Sequence, residues 1–142
     1  MAPSSKPKFS TYSGFAESLS SHSHYSQSVR IGNRIECSGQ GGWHATTGQI
    51  PASPQEEIEQ AFSNVETSLK SAGGEGWKQV YKVNLYYTSQ LATEEGIAIL
   101  GEAMKKWCGE GHRPLLTAVE VAGLALGGMR VEIEVVAVVE EE

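Results

Sequence analysis

The chain has 142 residues, with eleven Lys and Arg, seventeen Glu, no Asp and a formal net charge of −6. This length supports one domain with its own core, and the few cations are scattered along the sequence, which disfavours nucleic acid as a partner. Cys37 and Cys108 are far apart and outside any C-x-x-C, and no apolar run approaches the roughly 20 residues of a membrane span. The expected protein is therefore one without a membrane anchor in a reducing compartment, the cytoplasm or a mitochondrion.

Residues 1–24 are Ser-rich with two Pro and little periodicity, and they read as a flexible N-terminal arm. His22-x-His24 within it has no Cys or carboxylate at ligand spacing, so no metal site is expected. The stretch YSQSVRIGNRIECSGQ then predicts two short strands around a Gly32-Asn33 turn. SGQGGW, from Ser38 to Trp43, lacks both G-x-G-x-x-G and the Lys-Ser/Thr of a phosphate loop. It reads as a strand end or bulge where backbone closely approaches something, and Trp43 either lines a pocket or packs.

Ser53-Pro54-Gln55-Glu56 has the form of a capping box with proline at the first helical position. Ile58, Ala61, Phe62, Val65, Leu69 and Ala72 follow as one apolar stripe, and Gly73-Gly74 ends the helix. QVYKVNLYY predicts a strand. A second helix runs from about Thr93 to Cys108, with Ile97, Leu100, Met104 and Trp107 on one side. LLTAVEV and MRVEIEVVAVV predict two more strands, and Glu140, Glu141 and Glu142 form an acidic tail.

This order predicts an α+β fold, a mixed β-sheet with two helices on one face. The opposite face would meet water, yet Leu116, Ala118, Val136 and Val138 are assigned to it here. An apolar patch of that kind is expected to be covered by copies of the chain, with a small-molecule cleft at the seam. Glu120, Glu132 and Glu134 would lie near that boundary. Glu132 has two readings: a desolvated general acid or base, or a solvated or salt-bridged carboxylate next to Arg130. No Ser/His/Asp arrangement for nucleophilic catalysis is evident.

The segments YSQSV, CSGQ, TTGQIP, AFSNVETSLKSAGG, RPLLTAVEVAGL and VEIEVVAV, in this order between Tyr25 and Val139, resemble the RidA/YjgF family, also called endoribonuclease L-PSP. The resemblance implies one domain over residues 25–139 with a chorismate-mutase-like fold, assembled as a homotrimer with three inter-subunit clefts. It implies hydrolysis of reactive 2-imino acids or their enamine tautomers to 2-keto acids and ammonia, with no metal or organic cofactor. Glu132 matches the family glutamate that helps to place the attacking water. Tyr25 matches a tyrosine reaching the ligand across the cleft, and Ser38 a serine lining it.

Leu116 stands where the family carries an arginine that grips the substrate carboxylate. A leucine donates no hydrogen bond, so either another cation replaces the arginine or the ligand differs. Arg113 and Arg130 are the candidates, each with a plain alternative as a salt-bridged or solvated residue. In the remaining reading Leu116, Trp43 and Tyr25 line a less polar cleft. Three functions compete: an imine or enamine deaminase with altered substrate, a non-catalytic trimeric binding or interaction module, and, weakest, an endoribonuclease.

Overall fold

The computed structural model describes residues 5–140. In chain order the strands are β1 (Lys8–Ser10), β2 (Ser28–Ile31), β3 (Arg34–Cys37), β4 (Gln40–Gly41), β5 (Val80–Tyr87), β6 (Leu115–Glu120) and β7 (Val131–Val138). The helices are α1 (Phe15–Ser23), α2 (Pro54–Ser71) and α3 (Glu94–Cys108). The strands form one sheet in the order β1-β2-β3-β7-β5-β6, with β4 also paired to β7. Every pairing is antiparallel except β5 with β6, so the sheet is mixed, as the element order implied.

Strand β7 is central because its two faces differ. Val131, Ile133, Val135 and Ala137 point into the core beneath α2, joining Ile58, Phe62, Val65 and Leu69 from the helix stripe. Burying side chains of this size stabilises by about 1.5–3 kcal/mol each. The helix ends follow from sequence chemistry: Ser53 Oγ accepts the Glu56 amide, and the Gly74 amide reaches back to the Leu69 carbonyl. Thr93 caps α3 in the same way. Ile97, placed on the apolar side of α3 from spacing, is exposed, whereas Leu100, Ala103 and Cys108 are buried.

The N-terminal segment corrects the expectation of a loose arm. Lys8–Ser10 adds an edge strand to β2, and Phe15–Ser23 is a third helix. Nine residues with four serines have weak intrinsic helicity, and Gly14 provides no side-chain cap. Tertiary contacts hold it instead. The Phe15 amide donates to the Ala45 carbonyl at 2.9 Å, Phe15 packs on Trp43, and Ala16 is fully buried. Residues 1–4 and the tail beyond Glu140 lie outside the described residues.

A second correction concerns β6. Its parallel register sets Leu116 beside Val83 and Ala118 beside Leu85, on the helix side of the sheet. The open face instead carries Leu115, Thr117 and Val119, next to Lys82, Asn84 and Tyr86 and then Val136, Glu134 and Glu132. Both phases of this strand are apolar, so alternation alone could not choose between them. At 68% and 50% exposure, Leu115 and Leu116 show that this edge strand is left bare on both faces.

A buried ion pair fixes the entry to β7. Glu57, in the first turns of α2, is fully buried and accepts from the Arg130 Nε at 2.5 Å and from the Arg130 amide at 2.7 Å. The rest of the guanidinium donates to the Pro51 and Ala52 carbonyls. Removing one member of such a pair leaves the other charged and unpaired in the interior, at a cost of about 3–5 kcal/mol. Arg130→Met is therefore expected to lower the unfolding free energy in urea by about that amount, and Arg130→Met/Glu57→Leu to recover much of the loss. Wild-type stability in the single variant would show that the pair does not anchor the strand.

Candidate functional site

Glu132 and Glu134 both project from the open face of β7, in different surroundings. Glu134 Oε1 accepts from the Tyr86 hydroxyl at 2.5 Å and from Asn84 Nδ2 at 3.2 Å. That bond, foremost, holds the Tyr86 phenol above its usual titration range. Glu132 is half-buried and accepts no hydrogen bond among the described residues. Burial, then the neighbouring Glu134 charge, raise its pKa above that of an ordinary carboxylate. Two adjacent carboxylates thus divide into one already bonded and one free to exchange a proton.

The Gly-rich segment makes room for Glu132. Gly41 lies opposite Glu132 in the β4–β7 pairing, and a Cβ on Gly39 would come within 2.4 Å of Glu132 Oε2. A side chain at position 39 would have to displace the Glu132 carboxylate from this place. The neighbouring Ser38 donates from Oγ to the Ser26 carbonyl at 2.7 Å. Ser38, Ser26, Tyr25 and Phe9 line a groove of about 530 Å³ on the open face of the sheet over β1–β3, beside this segment. Tyr25 is 37% exposed there, and its oxygen accepts from Gln27 Nε2. Cys37 also borders the groove, but burial pushes its thiol up to about 11, so it offers no thiolate nucleophile near neutral pH.

The other residues singled out from sequence lie elsewhere. Trp43 is 2% exposed and packs in the interior against Phe15 instead of lining the Tyr25 groove. Arg130 points away from Glu132 into its pair with Glu57, because it precedes the strand and turns toward α2. That removes both the proposed Glu132–Arg130 pairing and Arg130 as a free cation for ligand. Arg113 and Leu116 share a second groove of about 380 Å³ with Met104, Lys105 and His112, on the helix side at the end of α3. Arg113 is exposed and forms no ion pair among the described residues.

Thus one chain brings Tyr25, Ser38 and Glu132 to the same region but leaves Arg113 and Leu116 apart. Sequence reasoning missed Glu57, which looks like any first-turn acid favouring a helix N-terminus. It also missed Gln27 and Gln40, whose burial no periodicity announces. The cations are less scattered than the sequence indicates: Lys6, Lys8, Arg30 and Lys70 border one groove of about 440 Å³ at the C-terminal end of α2. Their charge complements the carbonyl end of that helix.

The model of the family described as endoribonuclease L-PSP matches residues 15–139. The chain belongs to this family, the RidA/YjgF family. It is 36% identical over 115 residues to the 2-iminobutanoate/2-iminopropanoate deaminase of Mus musculus, covering 80% of each chain. The protein of the same name from Dermatophagoides farinae is 31% identical over 117 residues, covering 82% of this chain and 86% of its own. Among solved structures, RidA from a Psychrobacter species superposes with a TM-score of 0.71 at 32% identity, covering 81% of this chain and 88% of that one. E. coli TdcF with bound serine gives 0.71 at 28% identity, covering 82% and 88%. The family match begins at Phe15, inside the segment read from sequence as a loose arm.

The raised Glu132 pKa has a consequence for stability. Its folded state holds the proton more tightly than the unfolded chain, so the stability linked to it is fully present below the usual carboxylate pKa. It is lost as pH rises through the folded value. Glu132→Gln is expected to melt at a higher temperature than wild type at pH 8 and at nearly the same temperature at pH 4. A variant less stable than wild type at pH 8 would contradict a desolvated, unbonded carboxylate.

Proposed function

We propose that the protein is an imine or enamine deaminase whose sites lie between copies of the chain in a homotrimer of chorismate-mutase-like subunits. The observation that carries the reading is Glu132: a half-buried carboxylate with a raised pKa and no hydrogen-bond partner among the described residues, against Gly39 and beside the Tyr25–Ser38 groove. Two relatives that bear the name 2-iminobutanoate/2-iminopropanoate deaminase support it.

In this reading Glu132 takes a proton from water as the oxygen attacks the C=N carbon, and returns a proton to nitrogen as ammonia leaves. Water and imine give a carbonyl compound and ammonia, so no redox partner is needed. Tyr25 and Ser38 hold the ligand, and orientation supplies much of the acceleration for a substrate that is already reactive. Assembly through the open face supports the cleft: Phe9 at 64% exposure, Leu115, Val119 and Val138 form an apolar surface that a copy would cover.

Leu116 distinguishes this chain from the family pattern. In the trimer the bare β6 edge would bring Leu116 and the unpaired Arg113 of one copy toward the neighbour's Glu132. Arg113 then takes the place of the family arginine, and the preferred substrate is less dependent on a bidentate carboxylate grip. The same leucine favours the second reading, a trimeric binding module that holds a small molecule without turnover. The endoribonuclease reading gains the Lys6–Lys70 groove, but Arg30 and Lys8 share the helix-side phase of the sheet, opposite Glu132.

The test is 2-keto acid release from imines generated in situ by an amino-acid oxidase. Wild type is expected to accelerate it, and Glu132→Gln to lower kcat about 100-fold or more, the scale of general acid–base catalysis. Leu116→Arg is expected to lower KM for 2-iminobutanoate. Sedimentation should give three chains per particle. Binding of 2-oxobutanoate without any turnover would select the binding module, and a stable monomer would overturn the shared cleft.

A further inference from the structure

A line of hydrogen bonds connects the N-terminal segment to the Tyr25 groove through the interior. The Tyr12 hydroxyl donates to Gln40 Oε1 at 2.6 Å, Gln40 Nε2 donates to Gln27 Oε1 at 2.7 Å, and Gln27 Nε2 donates to Tyr25 Oη at 3.2 Å. Both glutamines are fully buried. Buried amides are costly unless satisfied, and here each is engaged at both ends.

The direction of this line is fixed by the backbone. Gln27 Nε2 also faces the Ala16 carbonyl and Ser20 Oγ, each at 3.1 Å, so its two hydrogens are shared among these and Tyr25 Oη, and Gln40 Nε2 faces the Ser38 carbonyl at 3.1 Å. A carbonyl can only accept, so the NH2 groups must stand where they do, and neither amide can turn over without setting two acceptors against each other. Gln40 Oε1 then requires a donor, and burial keeps the Tyr12 phenol protonated by raising its pKa well above the usual range. At the other end Gln27 Nε2 has no lone pair to receive a proton from Tyr25. Tyr25 Oη makes no other hydrogen bond among the described residues, so its own O–H is left to point into the groove.

We infer that this one-way relay makes Tyr25 an obligate hydrogen-bond donor into the groove, with Gln27 and Gln40 as positioning residues. The group seated there presents an acceptor oxygen, as the carboxylate or carbonyl of a 2-imino or 2-keto acid does. The identity of that ligand rests on the deaminase reading; the direction of the relay does not. Hydrogen bonds in series polarise one another, so the final O–H is a stronger donor than an isolated phenol. It supplies a neutral contact for an oxygen in a chain that carries Leu116 in place of an arginine. The relay also gives the N-terminal segment a role, because Tyr12 starts it and α1 provides the Ala16 carbonyl.

The test compares full-length wild type, Tyr25→Phe, Gln27→Met and Tyr25→Phe/Gln27→Met, with KM for 2-iminobutanoate and Kd for 2-oxobutanoate as readouts. Losing a hydrogen bond to a charged oxygen should raise both constants about 10- to 100-fold in each single variant. The double variant should bind no more weakly than Tyr25→Phe, since Gln27 acts through Tyr25. A further loss in the double variant, or unchanged constants in Gln27→Met, would overturn the inference. Tyrosine labelled with 13C at Cζ gives a ligand-free readout: the Tyr25 signal should move in Gln27→Met, and in Tyr12→Phe if the former does not fold. An unmoved Tyr25 signal sinks the relay, whereas a moved signal in a protein that neither binds nor converts these acids sinks only the deaminase reading.

Discussion

The placement of the site depends on the ion pair between Arg130 and Glu57. By taking Arg130 down toward α2 at the point where β7 begins, it sets the strand's phase: Val131 and its alternates enter the core, and Glu132 and Glu134 face outward. The pair is inaccessible to water at Glu57 and exposed by only 14% at Arg130. Its interaction is therefore little screened, and neither charge can relax toward solvent if the other is lost. A slip of one residue would exchange the faces and bury both carboxylates of β7 in the core.

With that phase fixed, the chemistry follows from unequal treatment of neighbours. Glu134 is held by Tyr86 and Asn84, whereas Glu132 lies against Gly39, which has no side chain to crowd it. Glu134 nevertheless acts on Glu132, because its charge adds to desolvation in raising the Glu132 pKa. The Tyr25 groove supplies a second kind of control. Its donor is oriented from behind by two buried amides rather than by a charged side chain, which suits a ligand oxygen while avoiding an uncompensated buried cation.

Much of this was legible in the sequence where local chemistry dictates structure. The Ser53 cap, the stripe of α2, the Gly32-Asn33 turn and the close approach at Ser38–Trp43 each need only a few adjacent residues to be recognised. The family motifs pointed to Tyr25, Ser38 and Glu132. What sequence could not give depends on distant partners. Leu115 and Leu116 are alternates in an apolar strand, and only pairing with β5 tells which one faces the helices. Arg130 follows the parity of Glu132, yet an acid 73 residues away draws it to the other side. Helix α1 forms despite its serines because Trp43, Ala45 and Gln27 are waiting for it.

The most direct measurement is a crystal structure of the assembled protein with 2-oxobutanoate bound. The expected result is a ligand in a cleft between two copies, with one oxygen within hydrogen-bond distance of the Tyr25 hydroxyl and the carbonyl carbon facing the Glu132 carboxylate. A ligand confined to the Arg113–Leu116 groove of a single copy, with the open sheet face bare and Glu132 in bulk water, would contradict the account.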